Sequence, residues 1–179
     1  MKKLYEALSL LAALLFTACE APALSIQTTE QPARTSPSYE VVLDKSMTDK
    51  AVMDFITNNK CSPADKFQLC KEAGMALWAD VNQVVKTVYL YVGGTDGFKR
   101  YRGKLPFGLT FYDPMWRVQE KLRKLNTDDS SYDAGLTDEA SSPNHIHYWA
   151  IYRRLGMTII YDAPSADQDA YIYAILMNK

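Results

Sequence analysis

Apolar side chains in this sequence follow two periods, one typical of strands and one typical of helices. In 105–111 (LPFGLTF), Leu and Phe alternate with other residues, which is the period-two pattern of a half-buried strand. Val, Thr and Tyr, which favour strands, are enriched in 84–92. The predicted strands are 39–43, 75–78, 84–92, 105–111, 145–152, 157–161 and 170–177.

Three helices are predicted where a cap residue precedes apolar residues at helical spacing. Residues 46–49 (SMTD) have the form of a capping box, and a helix follows them to about Asn58. Ser62-Pro63 predicts the start of a second helix, which Gly74 would end. Asp113-Pro114 predicts a third, with the carboxylate accepting from the first turn. The inward positions are Val52, Phe55 and Ile56 in the first helix and Val118, Leu122 and Leu125 in the third.

The two halves of the chain share a pattern. Gly74-Met75 aligns with Gly156-Met157, and each pair is followed by a loop and a Tyr-rich strand, 88–91 or 170–173. One copy of about 70 residues would bury a small core, and two copies side by side would bury more. Chance similarity between strand patterns is the alternative. The matching apolar positions upstream are Leu43, Val52 and Ile56 in the first half and Leu109, Val118 and Leu122 in the second.

We therefore predict a mixed α+β fold of two tandem strand-helix-hairpin repeats, 39–92 and 98–179, within one compact body. The repeats would form an antiparallel sheet with the helices packed on one face. The length of 179 residues and the hydrophobic fraction of 47% are sufficient for a globular core. The formal net charge of −1 argues against a nucleic-acid binder, which requires a basic face.

Residues 1–18 have the form of a secretory leader. Lys2 and Lys3 precede an apolar stretch, 8–16, that is too short to span a membrane. The leader ends Leu-Phe-Thr-Ala-Cys, which resembles the lipobox of bacterial lipoproteins. The resemblance implies cleavage before Cys19 and lipidation of this residue, which becomes a membrane anchor. An ordinary signal peptide that happens to end beside a Cys is the alternative.

Residues 19–38 are rich in Pro, Ser, Thr, Ala and Gln and show no apolar period, so we expect a flexible tether. Glu20 follows Cys19, and the sorting rule of enteric lipoproteins then permits the outer membrane. We expect a lipoprotein of the bacterial envelope that faces the periplasm, with the outer membrane favoured over the inner one.

Cys61 and Cys70 form an even pair in a chain expected to reach an oxidising compartment, so a disulfide is the first interpretation. A helix over 63–70 argues against it, because a rise of ~1.5 Å per residue would place the two Cα atoms near 12 Å. A disulfide requires less than about 7 Å. A nucleophilic Cys is the weaker alternative, because both His residues lie far along the chain.

Two polar segments are candidates for partner contact. Residues 98–104 (FKRYRGK) are either a charged strand edge or a patch for an acidic partner, and the acidic segment 126–144 predicts a long loop. His145 and His147 would share a strand face, but a third metal ligand is missing, so we predict surface histidines. The predicted partner-binding residues are Tyr112, Trp116, Arg117, Asp128, Asp129, Tyr132 and Asp133.

A family resemblance follows from these elements. The succession of strand, cap, helix with inward Val118, then Gly-Met and a hairpin resembles the β-lactamase-inhibitor-like and outer-membrane-assembly-lipoprotein folds. The stretch 105–111 with Val118 and Leu122 resembles a two-repeat family of small bacterial proteins often encoded beside toxins. The resemblance implies a protein-binding module, with neither catalytic residues nor a cofactor.

The sequence contains no Gly-x-Ser-x-Gly elbow, His-Glu-x-x-His motif or phosphate loop. We therefore expect a protein that is not an enzyme. The favoured hypothesis is an immunity protein that binds and inhibits a secreted antibacterial toxin, itself an enzyme. The alternative is a scaffold lipoprotein of outer-membrane assembly.

Overall fold

A computed structural model describes residues 38–94, 96–125, 132–136, 146–165 and 168–179. These residues belong to one compact unit, Arg34–Lys179, with a mixed α+β fold. The helices are α1 (Lys50–Asn58) and α2 (Met115–Arg123). The strands are β1 (Ser62–Ala64), β2 (Phe67–Cys70), β3 (Met75–Ala79), β4 (Val85–Tyr91), β5 (Tyr132–Leu136), β6 (Ile146–Tyr152), β7 (Met157–Ala163) and β8 (Tyr171–Asn178). Among the described residues, no helix is long and apolar enough to span a membrane.

The start of the described chain differs from the prediction. Residues 39–43 are not a strand, because the Ser38 Oγ accepts from the Glu40 N–H and opens a 3-10 helix, Tyr39–Val41. Helix α1 is confirmed, but its cap is Asp49, which accepts from the Ala51 N–H at 2.8 Å. The predicted capping box is wrong, since Ser46 accepts from the Thr48 N–H instead.

The predicted helix after Ser62 is wrong, and a hairpin of β1 and β2 occupies its place. Ser62 pairs with Leu69, which brings Cys61 and Cys70 opposite each other. The two cysteines form a disulfide, with their Cα atoms 4.1 Å apart. Because 63–70 is a hairpin and not a helix, the helical rise that would separate the two cysteines is absent.

The segment before α2 also departs from its apolar alternation. Residues 105–111 are not a strand, because Pro106–Gly108 forms a 3-10 turn and Phe107 has a φ of 55°. Asp113 does not cap α2, since Pro114 is the N-cap and has no capping side chain. The Asp113 carboxylate instead accepts from the Thr110 N–H at 2.7 Å and from the Lys121 Nζ at 2.8 Å.

The second half adds four more strands. Residues 126–144 are not wholly a loop, because Tyr132–Leu136 forms the edge strand β5, antiparallel to β6. The predicted strands over 75–78, 84–92, 145–152, 157–161 and 170–177 are confirmed within a residue or two at their ends.

All eight strands form one antiparallel sheet with the order β1-β2-β3-β4-β8-β7-β6-β5. The two four-stranded runs therefore meet at the central pair β4–β8. Each run is preceded by a helix and contains a 3-10 turn that ends in a left-handed Gly, at Gly74 or Gly156. A side chain at Gly74 would put its Cβ 2.4 Å from the Lys99 carbonyl oxygen, so glycine is required there.

The register gives a different correspondence from the sequence alignment of the two halves. Met75 pairs with Leu90, whereas Met157 pairs with Met177. Leu90 therefore occupies the place of Met177, and the stretches 88–91 and 170–173 are not equivalent.

One hydrophobic core lies between the helices and one face of the sheet. Val52 and Phe55 of α1 and Val118 and Leu122 of α2 are buried in it. The strands contribute Cys70, Met75, Leu77, Val85, Val88, Leu90, Ala150, Tyr152, Met157, Ile159, Tyr161, Ala163, Ile172, Ile175 and Met177.

Candidate protein-binding face

The sheet face opposite the helices, which we name the open face, carries large apolar side chains. Strand residues alternate between faces, so the neighbours of the buried core positions point to this side. In β4, Val88 and Leu90 are buried while Tyr89 and Tyr91 are half-buried. The other half-buried side chains of the open face are Phe67, Leu69, Trp78, Trp149, Ile151, Ile160, Tyr173 and Leu176.

Four rings on this face contact one another in succession, and we name them the aromatic ladder: Phe67, Tyr89, Tyr91 and Phe98. The Phe67 and Tyr89 centroids are 5.7 Å apart with an edge-on geometry. Tyr89 and Tyr91 are 6.3 Å apart, and Tyr91 and Phe98 are 4.2 Å apart, both pairs stacked. The ladder runs from β2 across β4 to the segment that follows it. Such contacts orient the rings and reduce the entropy that they would lose on binding a partner.

Polar side chains also lie on the open face, on β4, β6, β7 and β8. The His147 Nε2 lies 3.3 Å from the Asp162 Oδ1, and the His147 ring lies 5.1 Å from the Tyr173 ring. Asn178 links two strands, because its Oδ1 accepts from the Thr87 hydroxyl and its Nδ2 donates to the Thr158 hydroxyl. These side chains fix the geometry around the centre of the face.

The ladder phenols are neutral at physiological pH. Burial, followed by the neighbouring Tyr89, Tyr173 and Asp96, raises the pKa of Tyr91 to about 12. Burial also raises the pKa of Tyr89. Both hydroxyls therefore keep their protons and are able to donate hydrogen bonds.

The predicted contact residues at the start of α2 are on the surface. Tyr112 is 71% exposed and Trp116 is 56% exposed, so Trp116 is not a member of the core. Arg117 is exposed beside them. Arg100 connects Tyr112 to the end of β4, because it is hydrogen-bonded to the Tyr112 hydroxyl and its Nε donates to the Val92 carbonyl at 3.2 Å.

Several residues predicted from the sequence lie outside the described residues or in a strand of which only the backbone is described. Cys19, Asp128, Asp129 and His145 lie outside the described residues. Tyr132 and Asp133 are placed in β5, where the backbone alone is described. The leader 1–18 and the tether to residue 37 also lie outside them.

Within the described ranges, no group of His, Cys, Asp and Glu side chains could hold a metal ion. The concave site between β2 and the β3–β4 turn has a volume of about 270 Å³ and is lined in part by Phe67 and Trp78. It lies at the opposite end of the ladder from Phe98, beside Val81, which is 88% exposed.

The ladder was missed by reasoning from the sequence, although its signal is visible. The alternation in 88–91 (VYLY) places two Tyr residues on one face and two aliphatic residues on the other. Which face the helices cover depends on the packing of distant segments, so the alternation alone does not tell which set remains open.

Comparisons of the chain with protein-family models, with curated proteins and with solved structures return no match.

Proposed function

We propose that this protein is a lipid-anchored binding module of the bacterial envelope that inhibits a secreted antibacterial toxin. It acts by binding and not by catalysis, and its anchor is the lipid on Cys19. The open face carries this proposal, because no helix among the described residues covers it and it bears half-buried aromatic and aliphatic side chains.

The size of the open face suits a protein partner. Seven gaps between strands of about 4.8 Å give a face about 34 Å wide, and the longer strands extend about 20 Å. A standard protein interface buries about 800 Å² on each partner, which is similar to this area. Small ligands require an enclosed pocket instead.

The chemistry of the face also suits a protein partner. Tyr and Trp dominate binding energy at interfaces, because they combine a large apolar area with a polar atom. The open face presents Tyr89, Tyr91, Tyr173, Trp78 and Trp149 on a sheet that holds their backbone rigidly. A rigid surface loses little conformational entropy on binding, which favours tight inhibition.

We also propose that the two four-stranded runs arose by duplication, as the tandem repeats predicted from the sequence. The same succession of helix, hairpin, 3-10 turn and hairpin in each run supports this origin. Joining two runs at β4–β8 doubles the width of the open face beyond what one run offers.

A capture experiment tests the function. The processed full chain is immobilised and exposed to the secreted and periplasmic proteins of its host and of competing bacteria, and bound proteins are identified by mass spectrometry. We expect one enzyme in near-stoichiometric amount, whose activity falls on binding. Tyr89→Ser combined with Leu176→Ser should abolish its capture, while Glu120→Ser on the exposed side of α2 should not.

Two results would contradict the proposal. Recovery of outer-membrane assembly components in place of an enzyme would favour the scaffold alternative. Equal capture by the open-face double variant and the Glu120→Ser control would show that the partner binds elsewhere.

A further inference from the structure

Hydrogen-bond donors without acceptors concentrate where β4 ends and β8 begins. The hydroxyls of Tyr89, Tyr91 and Tyr173 make no hydrogen bond within the part of the chain that the structure describes. Tyr91 lies opposite Ala174 in the central strand pair, which places Tyr91 and Tyr173 near each other. These phenols are half-buried, and their hydroxyl oxygens are not among the fully buried ones, so an incoming acceptor can reach them.

Two cations border the same end of the open face. The Lys71 Nζ donates to the Asp96 backbone carbonyl at 2.6 Å and lies 5.7 Å from the Phe98 ring centre. The Arg100 guanidinium lies 4.6 Å from the Tyr112 ring centre. Neither cation contacts a carboxylate among the described residues. Lys99 differs, because its Nζ pairs with Glu72 at 2.5 Å.

The acids in this region do not satisfy those donors. Asp162 pairs with His147 at 3.3 Å, and Glu72 pairs with Lys99. Asp96 is exposed, and it is its backbone carbonyl that accepts from Lys71. Three phenols and two cations therefore border one surface that offers few acceptors.

We infer that this end of the open face binds carboxylate side chains on an acidic loop of the partner protein. The inference rests on the proposed function and specifies the chemistry of the partner. A carboxylate accepts several hydrogen bonds at once, and bonds to it from cations and phenols are charge-assisted and strong.

The ring geometry favours a protein loop over a sugar. Sugars bind to exposed ring faces, whereas Tyr89 and Tyr91 are inclined by only 14° and stack on each other. Tyr91 and Phe98 are inclined by 23° and also face each other. Side chains of a loop can pack against the ring edges while their carboxylates reach the hydroxyls.

The test uses three blocked tripeptides as probes: acetyl-Glu-Phe-Glu-amide, its Gln-Phe-Gln isostere and its Lys-Phe-Lys analogue. Each is titrated into the ¹⁵N-labelled processed full chain, and amide shifts in β4, β8 and 96–101 are followed by NMR. We expect the acidic peptide to bind at least about fivefold more tightly than the Gln peptide, the ratio that one exposed charge pair of about 1 kcal/mol gives. The Lys peptide should bind most weakly.

Neutralising the cations should remove that preference. Lys71→Gln with Arg100→Gln should equalise the acidic and Gln peptides, whereas Lys50→Gln on α1 should leave the ratio unchanged. Equal binding of the acidic and Gln peptides to the wild-type chain, or absence of shifts at this end, would overturn the inference. The proposed function would stand in that case if open-face variants still lost the captured enzyme.

Discussion

The two faces of the sheet are built from the same strands and yet carry different side chains. On the helix-covered face, Leu90 and Ile175 pair across the central strands and are fully buried. One residue away, Tyr89 and Leu176 pair on the open face and are half-buried.

This difference indicates two separate roles for apolar side chains. Those on the covered face stabilise the fold, because both helices exclude water from them. Those on the open face keep part of their surface in water, so the fold gains less from them. Large apolar side chains at positions where they add little stability suggest that they serve to bind a partner.

The difference between the two faces predicts the largest change in the free energy of unfolding at two neighbouring positions of β8, one on each face. Ile175→Ala should lower the free energy of unfolding by about 3 kcal/mol, because it leaves a cavity in a closed core. Leu176→Ala should lower it by about 1 kcal/mol, because water already reaches that side chain. Urea denaturation of both variants measures the difference. Equal losses would show that the open face is packed as tightly as the core.

Removal of the disulfide measures how much this bond stabilises the β1–β2 edge of the sheet. Cys61→Ser with Cys70→Ser should lower the free energy of unfolding by about 2–3 kcal/mol, since the bond restricts the unfolded chain. Denaturation of the oxidised wild type and of the double variant gives this value. A loss well below 1 kcal/mol would indicate that the β1–β2 hairpin forms without the bond.

A buried carboxylate makes the covered side sensitive to acid. Burial would raise the pKa of Asp113, but hydrogen bonds from Lys121 and from the Thr110 N–H outweigh it and hold the pKa below its usual value. Its charged form therefore stabilises the fold above the unfolded pKa of about 4, and this contribution disappears as the pH falls through the folded pKa.

We expect Asp113→Asn to lower the free energy of unfolding by about 2 kcal/mol at neutral pH, because it leaves Lys121 without its ion pair. The gap between wild type and variant should narrow below about pH 4. Denaturation at several pH values checks this, with Asp54→Asn on the exposed side of α1 as the control. A gap that is independent of pH would exclude the proposed linkage.

The smallest change in stability is expected at the start of α2. Trp116→Ala with Asp129→Lys should move the melting temperature by a few degrees at most, because Trp116 is exposed. If these residues extend the contact surface, the same variant should weaken capture of the partner. A large drop in melting temperature would place the Trp116 ring in a packed environment instead.

Strand and helix periods in the sequence were sufficient to predict α1, α2 and most strands of the central sheet. The wrong predictions share a cause, because a short sequence pattern can be compatible with more than one local structure. Ser62-Pro63 is compatible with a helix start, yet the disulfide and the pairing with β2 make it an edge strand. Residues 105–111 alternate correctly, but Phe107 and Gly108 both adopt positive φ and turn the chain.

The candidate site was harder to predict than the fold. Tyr112 and Trp116, which the sequence predicts as partner contacts, are exposed, whereas the aromatic ladder depends on contacts between β2, β4 and 96–101 that are far apart in sequence. Asp162 could not be linked to His147 before the pairing of β6 with β7 was known. Sequence periods indicate which residues share a face, and tertiary packing decides which face stays open.

The most direct measurement is the affinity of the captured enzyme for matched variants of β4. Titration calorimetry would compare the wild type, Tyr89→Ser and Tyr91→Ser on the open face, and Glu120→Ser as the control. We expect at least about a tenfold weaker Kd for each Tyr variant, equal to about 1.4 kcal/mol, with the control unchanged. Unchanged affinity in both Tyr variants, with folding intact, would contradict the claim that the open face binds the partner.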